Sequence, residues 1–178
     1  MRTTPRLVVG LTGEVGTRHG VRLLELLRPT PVETHLVLCS CARRGIREET
    51  GRPPEEVQAL ADRAYGEWNQ AAKISSGSFL TLGMVVAPCS RRSLASISLG
   101  YANTLIHRAA DVTMKEGRPL VLLVDDAAFG ELEARHAARL GSVPHVRVEP
   151  ASSRATDVEI DATLSRVLAG FEIPVAAG

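Results

Sequence analysis

The feature that most constrains this chain is a recurring alternation. Short apolar runs at Arg6–Leu11, Thr34–Cys39, Met84–Ala87, Leu120–Val124 and Val143–Val148 are separated by longer helical patterns, with no consecutive hairpin signals. Neighbouring strands that are not joined by tight turns need crossover connections, and helices supply them, so the chain reads as βαβ units around a mostly parallel sheet. Leu120–Val124 is apolar at every position, as a strand covered on both faces must be. Between the runs, Val21, Leu23, Leu24, Leu26 and Leu27 form a helical stripe that Pro29 and Pro31 end, and Ser40 opens another helix. Pro53–Ala72 reads as a polar helix, Ser75–Ser78 as a loop and Ser93–Ala110 as one small-residue helix. Phe129–Leu140 reads as a helix capped by Gly141, and Val158, Leu164, Val167, Leu168 and Phe171 mark a closing amphipathic helix.

The 178 residues suit one domain over 1–178. In an open parallel sheet, ligands sit beyond the carboxyl ends of strands where the connections reverse direction. That rule brings Thr12–Thr17, Ser40, Pro88–Ser93 and Asp125–Asp126 to one place, because each follows a strand.

Composition removes several function classes. Lys plus Arg number 21 against 20 acidic residues, a net charge of +1, so bulk positive charge does not attract nucleic acid. Three Phe, two Tyr and one Trp are too sparse for base-stacking platforms. No apolar run reaches the roughly 20 residues of a membrane helix, and Met1–Pro5 lacks a signal-peptide core, so a cytoplasmic protein is expected. Cys39 and Cys41 are placed at a strand end with opposite facings, which suits neither a chelate nor a disulfide. Scattered histidines add no ligand spacing, so no metal and reduced thiols are expected.

The chemistry-bearing segments follow the strands. Gly10-Leu-Thr-Gly13-Glu-Val-Gly16-Thr-Arg-His-Gly20 passes from strand through a glycine-spaced turn into a helix. Backbone N–H groups at a helix start can seat a phosphate, although the same glycines also serve a tight turn. The segment is neither a G-x-G-x-x-G fingerprint nor a Walker A loop. Ser40 and Ser90 can bind a ligand oxygen or cap the next helix.

A set of motifs runs in order through the chain: Gly20-Val-Arg-Leu-Leu24, Glu33-Thr-His-Leu-Val37, Glu49-Thr50, Ile74-Ser-Ser-Gly-Ser-Phe79, Pro88-Cys-Ser90, Arg108-Ala-Ala-Asp-Val112, Lys115-Glu116 and Arg118-Pro-Leu-Val-Leu122. Together they resemble the UbiX-type flavin prenyltransferases from about Arg6 to Pro174. The resemblance implies a three-layer flavodoxin/Rossmann-like α/β fold. It also implies transfer of a dimethylallyl group from dimethylallyl phosphate to reduced FMN, without a metal. Prenylated FMN is then the product, passed to a UbiD-type decarboxylase, and the enzyme is a homo-oligomer, commonly a dodecamer with sites between subunits.

By the same resemblance, Gly13, Glu14, Val15, Ser40, Ser90, Arg91, Arg92 and Ser93 would bind the flavin. Glu49, Asp126 and Lys115 would be catalytic, and Arg108, Lys115 and Arg166 would hold the substrate phosphate. The chain departs from the family at three places. Glu14-Val15 replaces Ala-Ser, Asp125-Asp126 replaces Arg-Glu, and Pro150 stands near the family's phosphate-binding Tyr, with Arg147 and Arg154 close by as substitutes. These departures support a second reading, a non-catalytic carrier of FMN or prenylated FMN. A third, a flavoprotein decarboxylase acting on a peptidyl cysteine, would rest on His19 and Asn103.

Overall fold

A computed structural model describes residues 4–174. Six strands form one sheet in the order β3-β2-β1-β4-β5-β6, and every neighbouring pair is parallel. They are β1 Arg6–Leu11, β2 Glu33–Leu38, β3 Arg63–Tyr65, β4 Gly83–Val86, β5 Leu120–Val124 and β6 Val146–Pro150. The helices are α1 Thr17–Leu27, α2 Ser40–Thr50, α3 Pro54–Gln58, α4 Arg91–Leu99, α5 Leu105–Lys115, α6 Glu131–Gly141 and α7 Asp157–Ala169. The three-layer architecture expected from the sequence is present. Helix α1 packs against α2 and α7, while α4 packs against α5 and α6.

The four inner strands are buried nearly throughout, which is why they read as unbroken apolar runs. Their side chains, from Leu7 and Val9 through Leu36, Val85 and Leu122, join Leu23, Leu24, Leu94, Leu164 and Leu168 in one core. No helix among the described residues is long and apolar enough to cross a membrane.

Several expected boundaries are corrected. Pro53–Ala72 is not one helix: α3 ends at Gln58, and Arg63–Tyr65 adds a short edge strand to β2. Asp62 fixes that change of course, since its carboxylate accepts from Thr34 N and Oγ1 at 2.7 and 3.0 Å. Ser93–Ala110 is two helices, because Gly100 at φ 71° ends α4 and the Thr104 side chain caps α5. Gly141 is the last residue of α6, and Ser142 is its cap. The last strand begins at Val146, after His145 at φ 66°.

Cys39 and Cys41 also differ from expectation. The strand stops at Leu38, so Cys39 is the N-cap of α2, accepting from Ala42 N at 3.2 Å, and Cys41 lies in the first turn. There the Cys41 thiol donates to Thr12 O at 3.1 Å, and the neighbouring Cys39 thiol lowers the Cys41 pKa. All three cysteines are free.

Three buried histidines give the fold a pH dependence. Burial lowers the pKa values of His19, His35 and His107 below 6.5. Just below pH 6.5 the unfolded chain therefore binds more protons than the native one, so stability is complete above that pH and declines as pH falls. The urea midpoint is expected to drop between pH 7 and pH 5.5. An unchanged midpoint would show that these rings take up protons equally in the folded and unfolded chain.

Candidate functional site

Strands β1 and β4 are adjacent, and the helices that follow them pack on different partners, α1 with α2 and α7, α4 with α5 and α6. This divergence opens a cleft at the carboxyl ends of the strands. A cavity of about 720 Å³ occupies it, within the range of small-molecule sites. Its floor comes from the loops after β1, β2 and β4, and Asp125 contributes from the end of β5. Among the described residues, no cluster of His, Cys, Asp or Glu has the makings of a metal site.

The loop after β1 is shaped by glycines on both sides of the contact. Gly16 has φ 84°, in the left-handed region. A Cβ on Gly13 would lie 3.0 Å from the Pro88 ring, and one on Gly45 of α2 would lie 2.0 Å from the Glu14 carbonyl oxygen. The loop therefore rests on bare helix backbone. Thr12 ties it to the neighbouring loop: Thr12 N donates to Pro88 O at 3.0 Å, and Ser90 N donates to Thr12 Oγ1 at 2.9 Å.

All eight residues expected to bind the flavin line this cavity: Gly13, Glu14, Val15, Ser40, Ser90, Arg91, Arg92 and Ser93. Ser90 is also the N-cap of α4, accepting from Ser93 N at 3.2 Å, so the capping reading holds at a residue that lines the cavity. Ser40 is not a cap, because Cys39 holds that position; its backbone N–H donates to Glu67 at 3.0 Å.

The residues expected to act on the substrate lie elsewhere within one chain. Glu49 is behind the loop, not in the cavity lining. Its carboxylate accepts from Gly16 N at 2.7 Å, Thr17 Oγ1 at 2.6 Å and Arg18 N at 3.3 Å. The anion seat at the start of α1, read as a place for a ligand phosphate, is thus filled by the protein's own carboxylate. Asp126 is exposed on a short turn outside the lining, and its neighbour Asp125 faces the cavity instead. Arg108 and Lys115 both pair with Asp111 on α5, at 3.0 and 2.8 Å, and Arg166 is exposed in the last turn of α7; none of the three lines the cavity. Arg147 pairs with Glu149, and Arg154 and His19 line a separate cleft, so none of these reaches the cavity either.

Sequence reasoning missed part of the lining. Glu67, Trp68, Tyr101 and His107 belong to it, beside Asn103, which the sequence offered only for the decarboxylase reading. The spacing of Asn103 and His107, one helical turn apart on either side of the Thr104 cap, was the available signal for His107.

Charge in the cavity is mostly spent internally. Glu14 pairs with Arg44, and Asp125 accepts from Ser153 N at 3.0 Å. Arg91 donates to Glu133 at 2.5 Å and holds that carboxyl below the usual carboxylate range. Arg92 has no ion pair among the described residues, so it is the lining cation left to meet a ligand anion. A mixed lining with a few convergent hydroxyls and one available cation suits a flat heteroaromatic ligand carrying a phosphate.

Comparison with known proteins gives concordant likenesses. A family model described as Flavoprotein matches residues 1–164. A probable UbiX-like flavin prenyltransferase of Streptomyces sp. (strain D7) is 46% identical over 97% of this chain and 89% of its own length. The crystal structure of AnUbiX in complex with FMN and dimethylallyl pyrophosphate superimposes with a TM-score of 0.89 at 36% identity, covering 96% of this chain and 93% of that one. A dodecameric FMN-dependent UbiX-like decarboxylase from Escherichia coli O157:H7 superimposes with a TM-score of 0.88 at 41% identity, covering 94% of each chain.

Proposed function

Because the chain belongs to the UbiX-type flavin prenyltransferases, within the wider flavoprotein family, we propose that it joins a dimethylallyl group from dimethylallyl phosphate to reduced FMN. The observation that carries the reading is the cavity between the diverging β1 and β4 loops, which gathers all eight residues expected to bind the flavin. Prenylated FMN is the product, and a cytoplasmic UbiD-type decarboxylase is its recipient.

Bound reduced FMN supplies nucleophilic ring atoms, and dimethylallyl phosphate supplies the carbon electrophile and an anionic leaving group. The protein's task is to hold the two together and exclude water. Thr12–Val15 and Pro88–Ser93 form the walls that orient a ring, with Ser40 offering a hydroxyl and Ser90 its oxygen. Arg92 stabilises negative charge on a phosphate at the cavity rim. Arg108, Lys115 and Arg166 serve from a neighbouring copy of the chain, since none of them lines the cavity of its own subunit. The dodecameric state of the E. coli relative supports such a shared site.

The carrier reading is favoured by one observation: Asp125, a carboxylate, occupies the cavity edge while Glu49 and Asp126 do not enter it. Anaerobic incubation with reduced FMN and dimethylallyl monophosphate or diphosphate separates the two. Mass spectrometry of the released flavin is expected to show the added prenyl group. Recovery of unmodified FMN alone, from protein that binds added prenylated FMN, would establish the carrier instead.

A further inference from the structure

Four side chains form a hydrogen-bonded line that ends at the cavity. Asn103 Oδ1 lies 2.8 Å from His107 Nδ1, and His107 Nε2 lies 3.0 Å from Ser93 Oγ. Ser90 Oγ donates to Ser93 Oγ at 3.2 Å and accepts from Ser93 N. His107 and Ser93 are buried, Ser90 is half-buried, and all four residues line the cavity. Nothing in the proposed chemistry so far uses His107.

Counting protons fixes the direction of the line. Burial lowers the basicity of His107, so its ring is neutral near pH 7, with one N–H and one bare nitrogen. With the Asn103 amide oxygen set against the ring, as assigned, the proton is on Nδ1 and faces it. Nε2 is therefore bare and accepts from Ser93. The Ser93 hydroxyl has spent its one proton, so its oxygen accepts from Ser90. Ser90 has then spent its proton inward too, and offers the cavity a lone pair.

Resting on the flavin reading above, we propose that His107 is a positioning residue that fixes the Ser90 hydroxyl as a hydrogen-bond acceptor toward the cavity, so that the site favours reduced FMN over oxidised FMN. Reduced flavin carries an N–H at N5, where oxidised flavin has a bare acceptor nitrogen. An acceptor held without a proton of its own stabilises the first and repels the second. Losing the line frees Ser90 to turn its proton outward, and the preference fades.

The test compares affinities for oxidised and, anaerobically, reduced FMN. His107→Leu is expected to lower the ratio Kd(oxidised)/Kd(reduced) by about fivefold to tenfold; a tenfold change lowers the two-electron potential of the bound flavin by about 30 mV. Ser93→Ala, which cuts the line without touching the ring, is expected to give the same change, and the double variant no more than either alone. Equal weakening of both forms, or a rising ratio, overturns the proposal. In flavin-free wild type, nitrogen NMR of His107 should show Nδ1 protonated and Nε2 bare. The opposite tautomer overturns the proposal without reference to flavin. Wild type that binds neither form of FMN defeats the functional reading and this preference together, a result distinct from a bound flavin whose affinity ratio ignores His107.

Discussion

Gly45→Ala is expected to weaken FMN binding by tenfold or more and to destabilise the protein, although the exchange lies inside a helix. Helix propensity alone predicts a gain of about 1 kcal/mol for alanine over glycine. The tertiary contact reverses that sign. The new Cβ would stand 2.0 Å from the Glu14 carbonyl oxygen and 2.8 Å from its Cα, and neither belongs to a flexible side-chain end that could move aside. The loop Gly13–Gly16 must rise from α2 or the helix must retreat. Overpacking of this kind costs about 1–3 kcal/mol. The loop is also held on its other side, where a Gly13 Cβ would meet Pro88, so a shift there propagates into the cavity wall. Denaturant unfolding and FMN titration on one preparation check both halves. A variant more stable than wild type, with unchanged affinity, would show that the loop does not rest on α2.

This contact illustrates where sequence reading succeeds and fails. The inner strands were legible because burial on both faces imposes an unbroken apolar run, and the switch-point rule then located the loops that follow them. Edge strand β3 was not legible. It has three residues, Arg63-Ala-Tyr65, two of them exposed, and its placement depends on Asp62 bonding Thr34 across 28 positions. The same misread stretch hid Glu67 and Trp68 from the site. Reading Ser93–Ala110 as one helix hid the break at Gly100–Thr104, and that break turns Asn103 and His107 toward the cavity. The eight residues that the resemblance assigns to the flavin all line one cavity. The resemblance placed Glu49 beside the substrate, whereas the carboxylate's partners here are the start of α1, and only tertiary geometry reveals that.

Glu49→Ala is accordingly expected to act first on stability. It removes a carboxylate that satisfies Gly16 N–H, the Thr17 hydroxyl and Arg18 N–H at a helix start with no side-chain cap of its own. Charge-assisted hydrogen bonds of this type are worth roughly 1.5–3 kcal/mol, and part-buried donors left unpaired add to the loss. A total of about 2–4 kcal/mol translates into a Tm lower by roughly 4–16 °C in a domain of this size. Glu49→Gln separates charge from shape. The amide keeps one acceptor oxygen but sets an NH2 against donors, so it should lose a smaller part of that stability. If the charge also stabilises the cationic prenyl group as its phosphate departs, Glu49→Gln slows prenyl transfer by about tenfold, equivalent to ~1.4 kcal/mol, under conditions where the variant remains folded. Rate and Tm therefore divide the two roles. A lowered Tm with an unchanged rate makes Glu49 the cap of α1 alone, and a lowered rate with an unchanged Tm returns it to the substrate. The hydrogen bonds to α1 predict that Tm falls in either variant, because the carboxylate must leave Gly16 and Thr17 before it can face anything else.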